Sequence, residues 1–225
     1  MHIPKLLHCL VIILSVVLCT VDSPLSAEAI TLDELIAQVQ QTYDETEDFT
    51  GHFTQTATIK TINKTVTEEG TLYLKKPRRM FWDYTKPALK KLILNPREAW
   101  LYMPEEHTVY VQDTKALLTS TTTIRFLSGI GNLKDDFDVA FSTPDSRDEQ
   151  GNYLLSLVPH RYEAGITRLL LTIDRDSYFI IGCTFIDMYE NTTELTFQDV
   201  ITNTGIPETF FTFTPPKGAD LYHIP

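Results

Sequence analysis

The chain has 225 residues, of which 43% are hydrophobic and 22% are charged, a composition typical of a globular protein rather than a disordered or fibrous one. Thirty acidic against nineteen basic side chains leave a formal charge of −11, which argues against a nucleic-acid-binding protein because phosphates attract a basic surface. Aromatic residues make up 11% of the chain, a surplus compatible with either a dense core or an aromatic-lined cavity.

The first 29 residues predict a secretory signal peptide. Lys5 precedes a largely apolar run at positions 10–18, and small residues follow at 26, 27 and 29. Nine residues of helix rise about 14 Å, roughly half of a bilayer core, which argues against a membrane anchor. We therefore expect cleavage near residue 29, export, and a single mature domain over residues 30–225. Cys183 is then the only cysteine left, so no intrachain disulfide is expected.

An amphipathic helix is predicted directly after this segment. Thr31 and Glu34 have the spacing of a capping box, in which each residue bonds the backbone of the other. One apolar stripe then recurs with helical spacing over about three turns. Its members are Leu32, Leu35, Ile36, Val39 and Tyr43.

Almost everything after this helix alternates with a period of two, which predicts about eleven strands. The alternating runs lie at 49–53, 72–74, 80–82, 91–94, 99–103, 108–111, 137–141, 153–158, 166–173, 178–187, 193–200 and 210–213. A short helix or helical loop is predicted at 119–131. One helix cannot cover so large a sheet, so the sheet has to curl to hide its apolar face. We predict a mainly β fold, a single curled antiparallel sheet forming an incomplete barrel covered by short helices, with room for a cavity.

No catalytic or metal-binding motif is present in the sequence. There is no G-x-S-x-G, no H-E-x-x-H, no phosphate-binding glycine loop and no C-x-x-C pair. The mature histidines are scattered, at His52, His107, His160 and His223. We therefore expect a protein that is not an enzyme, without catalytic residues, metal or cofactor.

Residues 75–91 form the most basic segment of the chain. The segment contains seven positively charged side chains and one carboxylate, that of Asp83. One interpretation is a hairpin whose outer face is solvated by lysine and arginine. The other is a docking surface for an acidic partner or an anionic headgroup, with contacts expected from Arg78, Arg79, Lys90 and Lys91. Met80 and Trp82 share a strand face within this segment and are candidates for lining a cavity.

Short motifs follow one another in a set order along the mature chain. They are Phe53-Thr-Gln55, Gly70-x-Leu72-x-Leu74-x-Lys76-Pro77, Met80-x-Trp82-x-Tyr84, Pro87, Trp100-x-Tyr102-x-Pro104, Leu157-x-Pro159 and Phe211-x-Phe213-x-Pro215-Pro216-x-Gly218. In this order they resemble the periplasmic outer-membrane lipoprotein carriers, the LolA-like family. The match spans nearly the whole mature chain, and its specificity comes from the order of the motifs rather than from any one of them.

The resemblance implies an eleven-stranded antiparallel half-barrel, closed by a lid of helices, whose hydrophobic cavity holds the acyl chains of a lipoprotein. Lys76 stands where the family usually has an arginine that holds the lid shut through carbonyl groups. Lysine offers a compact charge in place of the arginine fork. The residues expected to line the cavity are Phe53, Leu72, Leu74, Met80, Trp82, Leu92, Leu94, Trp100, Tyr102 and Phe126.

The resemblance also implies partners and a compartment. In the periplasm, a monomeric carrier of this family takes acylated lipoprotein cargo from an inner-membrane ATP-driven transporter and delivers it to an outer-membrane acceptor. Three alternatives stay open: a sensor module of the same fold, a carrier for another envelope lipid such as a glycolipid, hopanoid or polyketide-like product, and a lipid-processing enzyme.

Overall fold

The computed structural model of the protein describes residues 30–120, 133–160 and 165–224, without the side chains of residues 119 and 120. The helices in these ranges are α1 Leu32–Glu45, α2 Thr114–Ser120 and α3 Leu133–Asp136, with 3₁₀ turns at Lys60–Ile62, Pro104–Glu106 and Glu208–Phe211. None of the helices in these ranges is long and apolar enough to cross a membrane. Of the helix or helical loop predicted at 119–131, residues 121–131, including Phe126, lie outside the described part of the chain.

One sheet holds all twelve strands of the described chain. They are β1 Asp48–Ile59, β2 Lys64–Lys75, β3 Arg79–Lys86, β4 Lys90–Leu94, β5 Glu98–Met103, β6 Thr108–Asp113, β7 Phe137–Phe141, β8 Tyr153–Pro159, β9 Ile166–Ile173, β10 Ile180–Asp187, β11 Thr192–Thr202 and β12 Asp220–His223. Their order is β12-β6-β5-β4-β3-β2-β1-β11-β10-β9-β8-β7. Every neighbouring pair is antiparallel except β12 and β6. The prediction of a mainly β chain built on one open, curled antiparallel sheet is confirmed.

The C-terminal region differs from the prediction in two ways. Residues 210–213 were expected to form a strand, but Glu208–Phe211 forms a 3₁₀ turn. The phenylalanines of this stretch pack on rings of the sheet instead of alternating along a strand: Phe210 lies 4.8 Å from Tyr73, between ring centroids. The second difference is β12, a four-residue strand that pairs parallel with β6 and was not predicted because all of its side chains are exposed.

Helix α1 follows the prediction closely. The Glu34 amide donates to Oγ1 of Thr31 at 3.3 Å, and the Thr31 amide donates to Oε2 of Glu34 at 2.8 Å, so both bonds of the capping box are present. Leu35, Ile36 and Val39 of the stripe are buried. The Tyr43 ring packs edge-on against Phe179 at 5.5 Å, which ties the end of α1 to the turn between β9 and β10.

The two faces of the sheet are defined by two neighbouring rows of paired residues across β2–β6. Directly paired residues point to the same side of a sheet, and consecutive residues point to opposite sides. The inner row, which defines the inner face, is Leu72, Trp82, Leu92, Leu101 and Tyr110. The outer row, which defines the outer face, is Tyr73, Phe81, Ile93, Trp100 and Val111.

The outer face is covered by the C-terminal segment, residues 206–219. Ile93, Trp100, Val109 and Val111 form a buried cluster there, and Phe213 packs against it. Phe211 is fully buried. The segment is apolar where it meets the sheet, so its burial stabilises the outer face through contacts such as these.

Asp48 fixes the start of this C-terminal segment. Its carboxylate accepts hydrogen bonds from the amides of Thr204 at 2.8 Å and of Gly205 and Ile206 at 3.1 Å, and the Thr204 hydroxyl adds a fourth. Nζ of Lys75 lies 3.6 Å away. Burial alone would raise the pKa of Asp48, but the hydrogen bonds from Thr204 and its neighbours outweigh it, so the net shift of the pKa is downward.

We expect Asp48→Asn to lower the free energy of unfolding by about 2–3 kcal/mol at pH 7, because the amide removes a charge from hydrogen bonds made to a buried carboxylate. A carboxylate with a lowered folded-state pKa stabilises the fold above its unfolded pKa of about 3.9 and loses that contribution as the pH falls through the folded value. Urea unfolding at pH 7 and pH 3 measures this. The difference in unfolding free energy between wild type and variant is expected to be smaller at pH 3 than at pH 7. An equal difference at both pH values would contradict a lowered pKa of Asp48 in the folded protein.

Candidate ligand-binding cavity on the inner face

Aromatic rings from three strands, β1, β3 and β11, meet on the inner face. The Phe53 ring lies edge-on to Trp82 at 4.8 Å and to Tyr84 at 4.9 Å, between ring centroids. The Trp82 ring also lies 6.5 Å from Phe197 of β11. The ring of Phe53 reaches across β2 because Gly70 leaves it room: a Cβ at Gly70 would lie 2.9 Å from Cε1 of Phe53. These rings form the aromatic floor of the inner face.

A cavity of about 280 Å³ lies beside this floor, over β3–β6. This volume is close to the lower end of the range for ligand pockets. Most of its lining is apolar, with polar groups supplied by lysine, glutamine and two tyrosines. The lining residues are Tyr84, Lys90, Leu92, Ala99, Leu101, Tyr110, Gln112, Leu117 and Ile224.

Seven of the ten residues expected to line the cavity lie on the inner face. Among them, Leu92 lines this cavity directly, and Phe53 and Trp82 belong to the aromatic floor beside it. The other four are buried on the same face: Leu72, Leu74, Met80 and Leu94. Their role in binding acyl chains stays a prediction.

The placement of Trp100 and Tyr102 in the cavity was wrong. Trp100 pairs with Ile93 and Tyr102 with Lys91, which puts both rings on the outer face, where they pack against Phe213 at 6.2 and 5.5 Å between centroids. Strand β5 is apolar in both phases, because Ala99, Leu101 and Met103 alternate with the two aromatic residues. Its period of two therefore does not tell which phase faces the cavity.

Lys76 contacts the end of helix α1. Its Nζ donates to the backbone carbonyls of Tyr43 and of Asp44, the latter at 3.1 Å. The last carbonyls of a helix lack partners within the helix and carry the negative end of its dipole, so a cation is favourable there. The contact agrees in kind with the expected one, a cation on carbonyl groups, and the lid-holding role of Lys76 stays a prediction.

The four basic residues expected to dock a partner do not lie on one face of the sheet, and their docking role stays a prediction. Arg79 is engaged with Glu208 at 2.7 Å and its side chain is only 13% exposed. Lys90 faces inward and lines the cavity, whereas Lys91 faces outward, 3.8 Å from Asp83. Neighbouring residues on a strand point to opposite faces, so the two lysines cannot contact the same partner surface. Arg78 is exposed in the turn before β3.

Two functional candidates were missed in the sequence, Gln55 and Glu68. Nζ of Lys90 lies 2.7 Å from Oε1 of Glu68, and Gln55 donates to Oε2 of Glu68 at 3.0 Å. Burial, together with the charge of Glu68, raises the pKa of the Tyr84 phenol, which donates to Gln55 at 3.3 Å. The sequence signal that could have revealed this site is the alternation along each strand. Glu68 alternates with Gly70, Leu72 and Leu74, and Lys90 alternates with Leu92 and Leu94. Glu68 and Lys90 are therefore charged residues on an otherwise apolar strand face.

No three histidine, cysteine, aspartate or glutamate side chains in the described ranges lie close enough together to hold a metal ion. Around the cavity, the described residues provide apolar and aromatic surface, the ion pair of Lys90 with Glu68, and a few hydrogen-bonding groups. Such a surface can bind a ligand that is mostly hydrocarbon.

Comparison with known proteins agrees with this geometry. Residues 44–214 match the family model described as outer membrane lipoprotein carrier protein LolA. The outer-membrane lipoprotein carrier protein of Methylococcus capsulatus is 28% identical over 153 residues, which cover 68% of this chain and 70% of that protein. The carrier protein of Dechloromonas aromatica is 24% identical over 207 residues, covering 89% and 96%.

Solved structures also include similar folds. An uncharacterized conserved protein from Thermus thermophilus superposes with a TM-score of 0.56 at 13% sequence identity, over 85% of this chain and 98% of its own. At this identity the likeness concerns the fold alone.

Proposed function

The chain belongs to the LolA family of outer membrane lipoprotein carrier proteins, and we propose that it carries acylated lipoproteins between the two membranes of the envelope. The observation that supports this most directly is the apolar cavity beside the aromatic floor of the inner face. In this proposal residues 1–29 are a cleaved signal peptide, and the mature chain works in the periplasm as a monomer. It takes cargo from an inner-membrane ATP-driven transporter, hands it to an outer-membrane acceptor, and catalyses no reaction.

The energetics suit a carrier. Each methylene of an acyl chain costs about 0.8 kcal/mol in water, so a sixteen-carbon chain costs on the order of 12 kcal/mol. An apolar cavity offsets this cost during transit. The carrier must bind cargo less tightly than the acceptor does, or release fails, so a closure held by a few polar contacts suits it better than a tightly packed one.

Binding of a triacylated lipoprotein to the mature protein tests the proposal. Residues 30–225 are mixed with detergent-solubilised lipoprotein, the detergent is removed, and gel filtration follows. We expect a soluble 1:1 complex, whereas the same lipoprotein lacking its acyl chains is expected to elute separately. Failure to keep the triacylated form in solution would refute the carrier function.

Lys76→Leu is expected to slow lipoprotein transfer to outer-membrane vesicles several-fold. Leucine cannot donate to the carbonyls of Tyr43 and Asp44, so the end of α1 loses its tie to the turn after β2. Lys76→Arg retains donors for both carbonyls and serves as the control, with near wild-type transfer expected. Wild-type transfer by Lys76→Leu would show that this lysine does not hold a lid.

A further inference from the structure

A polar cluster stands on the otherwise apolar inner face, made of Gln55, Glu68, Tyr84 and Lys90. Besides its ion pair with Glu68, Nζ of Lys90 lies 3.9 Å from the centroid of the Tyr84 ring. The side chains of Lys90 and Glu68 are only 26% and 22% exposed. Removing two charges this far from water is costly, and a pair of apolar residues would stabilise the face at least as well. Stability alone does not account for the cluster.

Two residues of the cluster belong to the lining of the cavity. Tyr84 and Lys90 line the cavity, and the rest of its lining is mostly hydrocarbon, with Gln112 and the Tyr110 hydroxyl as its other polar groups. A ligand in this cavity therefore meets apolar side chains along most of its length and a hydrogen-bonding group at one side. This arrangement matches a lipid whose chain carries a polar atom, rather than a plain hydrocarbon.

The charge balance of the cluster indicates which kind of polar atom a ligand can place there. Lys90 is already compensated by Glu68, so a carboxylate or phosphate brought to Lys90 would also lie close to Glu68, and like charges repel strongly in a partly desolvated site. An uncharged carbonyl oxygen accepts a hydrogen bond from the ammonium group without adding charge. The cluster thus favours a neutral acceptor over an anion.

Trp82 supplies a second donor next to the cluster. Its side chain is 3% exposed, and its ring lies 6.3 Å from that of Tyr84 between centroids. Within the described ranges, Nε1 of Trp82 has no hydrogen-bond acceptor. A buried N–H without an acceptor costs about 1–3 kcal/mol, and such groups in folded proteins call for an explanation. Nε1 is buried beside the cavity and not in its lining, so a ligand carbonyl reaches it only after neighbouring side chains shift.

We propose that this cluster binds the ester or amide carbonyl of an acyl chain, so that the cavity selects neutral acyl esters and amides over free fatty acids. The proposal rests on the carrier function above and names the chemical group that its cavity recognises. Ester and amide acyl chains share this carbonyl, and free fatty acids differ from them by one charge.

Competition between palmitate and 1-palmitoylglycerol tests the selectivity. Equimolar amounts of both are offered to the mature protein, and native mass spectrometry counts the two complexes. Wild type is expected to hold mainly the glycerol ester. Glu68→Gln leaves Lys90 as an uncompensated cation, so the ratio is expected to shift about tenfold toward palmitate, the size of one charge-assisted hydrogen bond.

Glu69→Gln is the matched control. Glu69 is the next residue on the same strand, and it pairs with Lys86 at 2.7 Å on the outer side, where the two side chains are 43% and 69% exposed. The same loss of one negative charge is expected to leave the ratio unchanged there. Should Glu68→Gln fail to fold, as judged by circular dichroism, Lys90→Met replaces it, with an expected tenfold loss of affinity for the glycerol ester, roughly one hydrogen bond to a charged group.

An unchanged ratio in folded Glu68→Gln, an equal shift in Glu69→Gln, or a wild type that prefers palmitate would each overturn the carbonyl site. If this happens while the protein still keeps triacylated lipoprotein in solution, the carrier function stands and only the site is wrong. If the protein holds neither lipid nor lipoprotein, both proposals fail together.

Discussion

Replacing Gly70 by alanine is expected to lower the free energy of unfolding by about 3–5 kcal/mol, because the new methyl group has no space to occupy. A Cβ at this position would lie 2.2 Å from the backbone oxygen of Asp83 on β3. A backbone atom in a paired strand cannot yield as a side chain can. Movement of β3 would also disturb the irregular pairing next to Gly70, where the register between β2 and β3 shifts.

Gly51→Ala provides the comparison, since Gly51 lies on the neighbouring strand β1, paired with Leu72. A Cβ there would approach Cγ2 of Val200 at 3.2 Å and the Gln198 carbonyl oxygen at 3.3 Å, which a shift of a few tenths of an ångström relieves. We expect a cost within about 1 kcal/mol for this change. Thermal and urea unfolding of both variants measure the difference. Equal costs at the two sites would show that β3 does not constrain Gly70.

Trp82→Ala is expected to cost about 3–5 kcal/mol of stability and to weaken binding of 1-palmitoylglycerol about tenfold or more. Its ring contacts Phe53, Tyr84 and Phe197, so truncation opens the aromatic floor beside the cavity. Trp82→Phe is expected to keep stability within about 1 kcal/mol of wild type, because the smaller ring loses contacts but also removes an N–H that has no acceptor in the described part of the chain.

Trp100→Ala separates the two effects of this truncation. Trp100 is 8% exposed and lies on the outer face, so its removal is expected to destabilise the protein by a similar amount. The affinity of the folded variant for 1-palmitoylglycerol should stay within about twofold of wild type, because Trp100 lies on the face of the sheet opposite the cavity and its aromatic floor. Titrations are run at a temperature where all variants are folded. Equal losses of affinity in the two tryptophan variants would place the binding site elsewhere.

The sequence predicted the fold well where one phase of a strand is clearly apolar. In β2 and β3 one phase carries leucine, methionine and tryptophan, whereas the other mixes aromatic side chains with threonine, lysine, arginine and aspartate, so the inner face of these strands follows from the sequence. In β5 both phases are apolar, and the choice between them depended on pairing with β4, which is a property of the tertiary structure. The inward orientation of Lys90 was not predicted for a related reason: the density of charge along residues 75–91 does not tell which face of its strand each side chain occupies.

The C-terminal segment shows a different limit. Phe210, Phe211 and Phe213 lie in a stretch rich in threonine and phenylalanine, which is typical of a strand. Strands β2–β5 are already paired on both sides, so this segment does not join them as another strand. Its rings instead pack over Tyr73, Phe81 and Trp100. Local strand propensity does not predict that the outer row of the sheet is apolar and needs another segment to bury it. That information depends on which residues of β2–β6 pair with one another.

The order of the strands has a consequence for how the chain reaches this structure. Strands β1 to β6 form one run of neighbouring hairpins and β7 to β11 form another, so most pairings join segments that are close in sequence. The two runs meet at one long-range seam, where Phe53 of β1 pairs with Phe197 of β11. Local pairings form quickly, whereas a seam between distant segments has to overcome a larger loop entropy. During synthesis the β1 edge facing β11 stays unpaired until β11 has been made, and an unpaired edge is a template for aggregation. Folding of this protein therefore depends most, at this seam, on timely completion of the chain.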